Sequence, residues 1–264
     1  MKASIIFSCL VLLFVSQIQA QEEKSVTISP FRLGIETGAN VFFGDASRPE
    51  MIRESGYYYH PDDYYDGYIY DNQDTEFFYF GFKPEYTLSK YQRFAISSGI
   101  RFSYAQTTLT SDREYFLWKI SETGANTNYV RINRITQKNY HIGIPFEVRF
   151  FMRKKDSFVR QYFVWGTVLN ILLSSSNDVS FKNAEMKKYA SNVNENIKKP
   201  DFFHWNVYAG VGMKVGKTKY PFGYLEFLLP VTMLGKDHAN SLMRTNGAFG
   251  FGMQMNLLIP LSLN

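Results

Sequence analysis

The sequence predicts an all-β protein: a transmembrane antiparallel up-and-down β-barrel of about eight strands, with short periplasmic turns and long extracellular loops. Three observations predict it. Apolar and polar residues alternate with period two in segment after segment. The connections between those segments alternate long and short. Beyond the N-terminus no apolar run approaches the ~20 residues a spanning helix needs, so any membrane crossing falls to strands, and strands cross lipid only when the sheet closes.

The N-terminus reads as a leader. Lys2 supplies a positive charge, Ile5 to Val15 are mainly apolar, and Ser16-Gln17-Ile18-Gln19-Ala20 ends on a small residue before the polar, acidic Gln21-Glu22-Glu23. That layout is a secretory signal peptide cleaved after Ala20. The only cysteine, Cys9, lies inside it, so the exported part has no disulfide or thiolate chemistry. The expected organisation is a signal peptide over 1–20, a short periplasmic segment over 21–30 and a single barrel over 31–264, with no Pro-, Gly- or Ser-rich linker between domains.

Composition points the same way. The chain carries 24 Phe and 19 Tyr, yet its mean hydropathy is −0.24. So many rings would need a very large soluble core, whereas a barrel in lipid places them on its outside. Basic and acidic residues are interspersed without a basic stripe, which excludes a nucleic-acid surface.

The strands follow in order. Phe31 to Phe43 alternates weakly, and Phe77 to Leu88 strongly. From Arg93 to Ala105, Phe94, Ile96, Ile100, Phe102 and Tyr104 share one face. Tyr140 to Phe151 sets Ile142, Ile144, Phe146, Val148 and Phe150 against His141, Gly143, Glu147 and Arg149. Gln161 to Leu173 and Tyr220 to Val231 alternate weakly; Phe203 to Val215 and Phe249 to Ile259 do so clearly. Pro84, Pro145 and Pro230 fall inside these strands, where each removes a ladder donor, so bulges or shifted boundaries are expected there. The stretch Glu114 to Gln137 also has strand character and reads as a ribbon above the barrel; an extra pair of wall strands, making ten, is the alternative.

At Asn139-Tyr140-His141-Ile142-Gly143-Ile144-Pro145-Phe146-Glu147-Val148-Arg149-Phe150 the sequence resembles the PorT-like outer-membrane barrel family, with its Ile-Pro strand ahead of a short turn. The next strand, Tyr162 to Leu169, and the later Gly210-Val211-Gly212 and Tyr224-Leu225-Glu226 segments sit where that family has Gly-rich and Tyr-containing strands. The resemblance implies a barrel in the outer membrane and a part in protein secretion or envelope assembly.

With the apolar face outside, Glu36, Lys83, Glu85, Arg101, Glu147, Arg149, Lys214 and Glu226 all point into a narrow interior. Charges there must pair, because an unpaired ion carries a desolvation cost of several kcal/mol. The expectation is therefore a structural ion-pair network filling the interior, with Glu36 and Lys83 at similar height on adjacent strands. His141 and His204 face inward as well, but no nucleophile motif accompanies them. The first long loop, with Tyr57, Tyr58, Tyr59, Asp62, Asp63, Tyr64, Tyr65 and Asp66, offers a ring-rich binding surface; its Asp spacing does not match a calcium-binding EF-hand loop. The expected partners are outer-membrane lipid and proteins of a secretion or envelope machinery, with no cofactor, metal or catalytic residue. A small pore and a lipid-modifying barrel enzyme are the alternatives.

Overall fold

A computed structural model describes residues 28–43, 49–52, 71–88, 93–111, 115–123, 126–152, 158–217 and 220–262. The expected signal peptide and the Tyr- and Asp-rich stretch from Tyr57 to Asp66 lie outside the described residues. The strands are β1 (Ile28–Phe43), β2 (Asp71–Phe82), β3 (Glu85–Thr87), β4 (Phe94–Ser98), β5 (Ile100–Ser111) and β6 (Phe116–Thr123). They continue with β7 (Asn126–Phe151), β8 (Val159–Phe181), β9 (Phe203–Val215), β10 (Phe222–Leu234) and β11 (Phe249–Ser262). A 3-10 turn over Ala184–Tyr189 leads into one short helix, α1 (Ala190–Asn196), between β8 and β9.

All pairings are antiparallel, and β11 pairs with β1 from Ile28↔Ser262 to Phe43↔Phe249, which closes the sheet. The segments β2 and β3 form one wall strand and β4 and β5 another, so the ring has eight strands. Within the stretch from Glu114 to Gln137, the described residues of β6 run against the start of β7 as a ribbon, from Phe116↔Ile132 to Thr123↔Asn126, and from Arg134 onward β7 continues unbroken into the wall. The ten-strand alternative is thereby set aside. Strand β8 is longer than the alternation suggests, reaching Phe181 rather than Leu173. Its polar Ser174-Ser175-Ser176-Asn177 run hides the continuation, which pairs with β7 up to Ile132↔Phe181.

The three prolines are accommodated in three ways. Pro84 falls in the gap between β2 and β3, and Pro230 at the register shift between Leu228 and Val231. Pro145 keeps its place in β7, opposite Val168 of β8. On its other side β7 changes neighbour there, from β5 (ending at Gly143) to β4 (starting at Phe146). Its missing N–H thus coincides with the break at Gly99, and Ser98 Oγ donates to the Pro145 carbonyl at 2.8 Å.

Period-two geometry sends alternate side chains to opposite faces. The outer face carries Ile35, Phe78, Phe80, Phe102, Ile144, Trp165, Val211, Phe227 and Met253, all exposed. The inner face is polar around the middle of the ring and aromatic toward the short connections, where Phe151, Tyr162, Phe222 and Tyr224 meet in tilted and edge-to-face contacts. A second apolar core sits beyond the ring at the long-connection end. Trp118 and Phe116 of β6, Val130 and Ile132 of β7, Phe181, Ile52, and Val193 of α1 meet there and crown the barrel.

The closing seam depends on a glycine. A Cβ on Gly250 would overlap the backbone carbonyl of Val41 on β1, which has no freedom to move, whereas a Cβ on Gly223 would find nothing nearer than Asn256 O at 3.8 Å. Gly250→Ala is therefore expected to lower the unfolding free energy of the refolded protein, measured by urea titration, by about 1–3 kcal/mol, the usual cost of overpacking. Gly223→Ala should leave that free energy within about 0.5 kcal/mol of the parent.

Candidate functional site

Alternation brings four carboxylates and their cations into the interior, and the ring's closure sets them against one another. Glu36 of β1 receives a two-pronged hydrogen bond from Arg101 of β5, Nε to Oε1 and Nη2 to Oε2, both at 2.8 Å. Lys83 Nζ lies 2.7 Å from Glu36 Oε2 and 2.6 Å from Glu147 Oε1, and so bridges the two acids. Arg149 continues the chain, with Nη2 2.5 Å from Glu147 Oε2, Nε 2.6 Å from Glu226 Oε1 and Nη1 3.1 Å from Glu85 Oε2. Glu85 in turn takes Arg32 Nη1 at 2.8 Å. Four acids (Glu36, Glu85, Glu147, Glu226) and four cations (Arg32, Lys83, Arg101, Arg149) form one continuous network. All eight are buried.

Neutral side chains complete the shell. Tyr208 donates to Glu147 Oε1 at 2.5 Å, Tyr162 to Glu226 Oε1 at 2.7 Å and Tyr224 to Glu85 Oε1 at 3.0 Å. Gln254 Nε2 bonds both Glu147 and Glu226, while its Oε1 accepts from Tyr79 at 3.0 Å. Three of these tyrosines pair directly across the sheet with a glycine: Tyr79 with Gly38, Tyr208 with Gly166 and Tyr162 with Gly212. A Cβ on any of those glycines would run into the tyrosine's ring. The bare backbone lets each ring lie flat across the neighbouring strand and carry its hydroxyl to an acid or to Gln254.

Lys214 is buried at the short-connection end, with its ammonium 4.3 Å from the centre of the Phe222 ring, a cation–π distance. Arg160 sits nearby over Phe151 at 4.4 Å. His141 and His204 lie toward the other end, buried, with ring centres 5.1 Å apart at right angles. The ring of Phe77 stacks on His141 at 5.8 Å. Among the described residues no three His, Cys, Asp or Glu side chains are grouped to hold a metal. The residues Tyr57, Tyr58, Tyr59, Asp62, Asp63, Tyr64, Tyr65 and Asp66 lie outside the described residues.

Sequence reasoning missed Arg32, Gln254 and the tyrosines. Arg32 shares the parity of Glu36 on β1, so its inward direction was readable. Tyr79 and Tyr208 likewise share a face with inward residues, but reading rings as belt residues conceals their role. The Tyr–Gly pairing carries no local signal, because the partners are between 41 and 50 positions apart in the chain.

No protein-family model matches the chain, and no curated protein sequence matches it. The likeness to PorT-like barrels therefore stands on the residues quoted for it, and the geometry stands by itself.

What this arrangement does chemically is fill and neutralise. No single member can be removed without leaving an opposite charge short of a partner in the buried interior, and breaking a buried pair in this way costs about 3–5 kcal/mol. Glu36→Gln should therefore lower unfolding stability in detergent by about that amount, because it removes an acid that both Lys83 and Arg101 face. Adding Lys83→Met should cost less than the two single losses summed, since the pair shares one interaction. Urea titrations of the two single variants and the double variant measure the coupling.

Proposed function

We propose that the protein is an exported, non-enzymatic outer-membrane β-barrel that works through its surfaces in protein secretion or envelope assembly. The observation that carries the membrane reading is the inverted polarity of the ring. Large apolar side chains point outward from every wall strand, among them Trp165, 69 % exposed, while the ionised groups are inside. Burying apolar surface is worth about 25 cal/mol per Å², so a ring with this exterior gains most by placing it in hydrocarbon. Closure satisfies the backbone groups that lipid cannot. By the usual orientation of such barrels, the short connections, the start of β1 and the end of β11 face the periplasm and the crown faces outward.

Two features support action through surfaces. The interior is occupied by a neutralised network, which favours a plug over a pore. The crown, with Trp118 and Ile132 fully buried, gives the loop end an ordered platform. The secretion or envelope role is what the PorT-like resemblance implies. A lipid-modifying enzyme would need its base within reach of lipid, and His141 and His204 instead pack behind Phe77 inside the ring.

The protein should fractionate with outer membranes, and unheated samples should migrate differently from boiled ones in detergent gels; recovery as a soluble periplasmic monomer would overturn the membrane reading. In planar bilayers the expected conductance is negligible, and large ohmic channels would favour the pore. Deletion of the gene should reduce secreted cargo with lipid A unchanged. Altered lipid A, restored by the wild-type gene but not by His141→Ala or His204→Ala, would favour the enzyme.

A further inference from the structure

The connection between β10 and β11, residues 235–248, does not stand clear of the barrel. Ser241, Leu242, Met243 and Thr245 are all buried. Leu242 packs upward into the crown core, and Met243 packs downward into the barrel core that contains Phe77, Val231 and Met233. The connection is therefore a lid across the mouth. Its polar fastenings to the wall are neutral: Gln137 Oε1 accepts from Met243 N at 3.1 Å and Ser241 Oγ at 3.3 Å, and Asn139 Nδ2 meets Met243 Sδ at 3.4 Å.

Directly beneath lie His141 and His204. Asn139, which holds Met243, is two positions from His141 on the same face of β7, and a Cβ on Gly235, the first lid residue, would stand 3.0 Å from His204 Cβ. All four ring nitrogens are buried without a hydrogen-bond partner among the described residues, and so are Asn139 Oδ1 and Asn206 Oδ1 beside them. Such a cluster of unsatisfied polar atoms in a closed interior calls for an explanation.

We propose that the imidazole pair is a proton-binding site that releases the lid. With both rings neutral, the pair packs against Phe77 under a closed mouth. A proton on either ring creates a cation that no acid among the described residues meets, and a proton on each places two like charges at 5.1 Å between ring centres. Among the described residues the polar atoms beside the pair, Asn139 Oδ1 and Asn206 Oδ1, are neutral amide oxygens that accept a hydrogen bond but carry no counter-charge, so full solvation of the charge calls for water, which enters from the loop end only if the lid lifts. The proton thus binds the open state better than the closed one, which is the condition for a ligand to shift a conformational equilibrium. Histidine is the side chain whose charge changes between pH ~5 and ~8.

The other titratable groups around the pair are engaged elsewhere. Below it, Tyr79 bonds Gln254, Arg101 bonds Glu36, and Tyr208 bonds Glu147. At the rim, His238 Nε2 lies 3.4 Å from Asp201 Oδ1 and Arg244 Nε 3.7 Å from Asp237 Oδ2, while Asp201 Oδ2 accepts from Lys236 N at 2.6 Å. The His238–Asp201 pair is another ionisable contact on the lid.

The test uses the full chain in detergent micelles with Cys9→Ser. Met243→Cys then supplies one thiol under the lid, and Ser191→Cys on the exposed face of α1 supplies a separate reference. The maleimide labelling rate of the first, divided by that of the second, cancels the intrinsic pH dependence of the reagent. The ratio should be low at pH ~7.5 and rise roughly tenfold at pH ~5, a shift equivalent to about 1.4 kcal/mol. With His141→Phe and His204→Phe combined, the ratio should stay low at both pH values; with His238→Asn, the rise should persist. Hydrogen exchange of residues 236–248 in the unsubstituted chain, corrected for the intrinsic rate, should show the same acid-induced opening. It decides the matter if Met243→Cys itself loosens the lid. A ratio and an exchange rate that ignore pH would overturn the proposal, as would a rise that survives in the double Phe variant or vanishes in His238→Asn.

Discussion

Everything inside the ring is arranged around the carboxylate of Glu147. Its two oxygens receive Lys83, Arg149, Tyr208, Gln254 and Ser97, groups that come from five different strands or strand ends. An isolated carboxylate here would be prohibitively costly; with this shell it becomes the tie that binds opposite walls of the barrel. The glycines opposite Tyr79, Tyr162 and Tyr208, the two-pronged contact between Arg101 and Glu36, and the placing of Lys83 beside the Pro84 gap all serve to surround this group or its neighbours. A buried network of this kind adds little net stability over an apolar filling, but it punishes any register that leaves one member alone. Slipping one strand by a single residue would reverse its faces and strand several charges at once.

The same principle accounts for the layering along the barrel axis. Toward the short connections, rings of Phe151, Tyr162, Phe222 and Tyr224 pack with Arg160, Arg32 and Lys214, so that cations there rest on aromatic faces. The middle is ionic and balanced. Toward the long connections the acids cease, and the interior becomes neutral: Asn, Thr, His and Phe under a lid tied by Gln137. The change of chemistry along one enclosed space separates a layer that holds the walls together from one that can respond to solution conditions.

The irregularities of the sheet also act together. The gap at Lys83-Pro84, the glycine at 99 and the proline at 145 sit side by side on three neighbouring strands, joined by the Ser98 bonds to Pro84 O and Pro145 O. Each alone would weaken a ladder. Side by side, the missing donor of one falls where its neighbour has already broken, so the wall bends once and remains continuous on either side.

The sequence by itself determined which side chains face in and which face out, because that property is local: successive residues on a strand point to opposite faces, and Glu147 and Arg149 or Phe78 and Phe80 declare their side without knowledge of any partner. It also determined the alternation of long and short connections. Only the tertiary structure decided who meets whom across the interior. That Tyr208 crosses Gly166 to reach Glu147, that Gln254 joins two acids, and that residues 241–245 fold back over His141 and His204 all follow from the stagger of the closed ring and the seating of one connection. Those depend on distances between residues far apart in the chain, and no periodicity in a single strand encodes them.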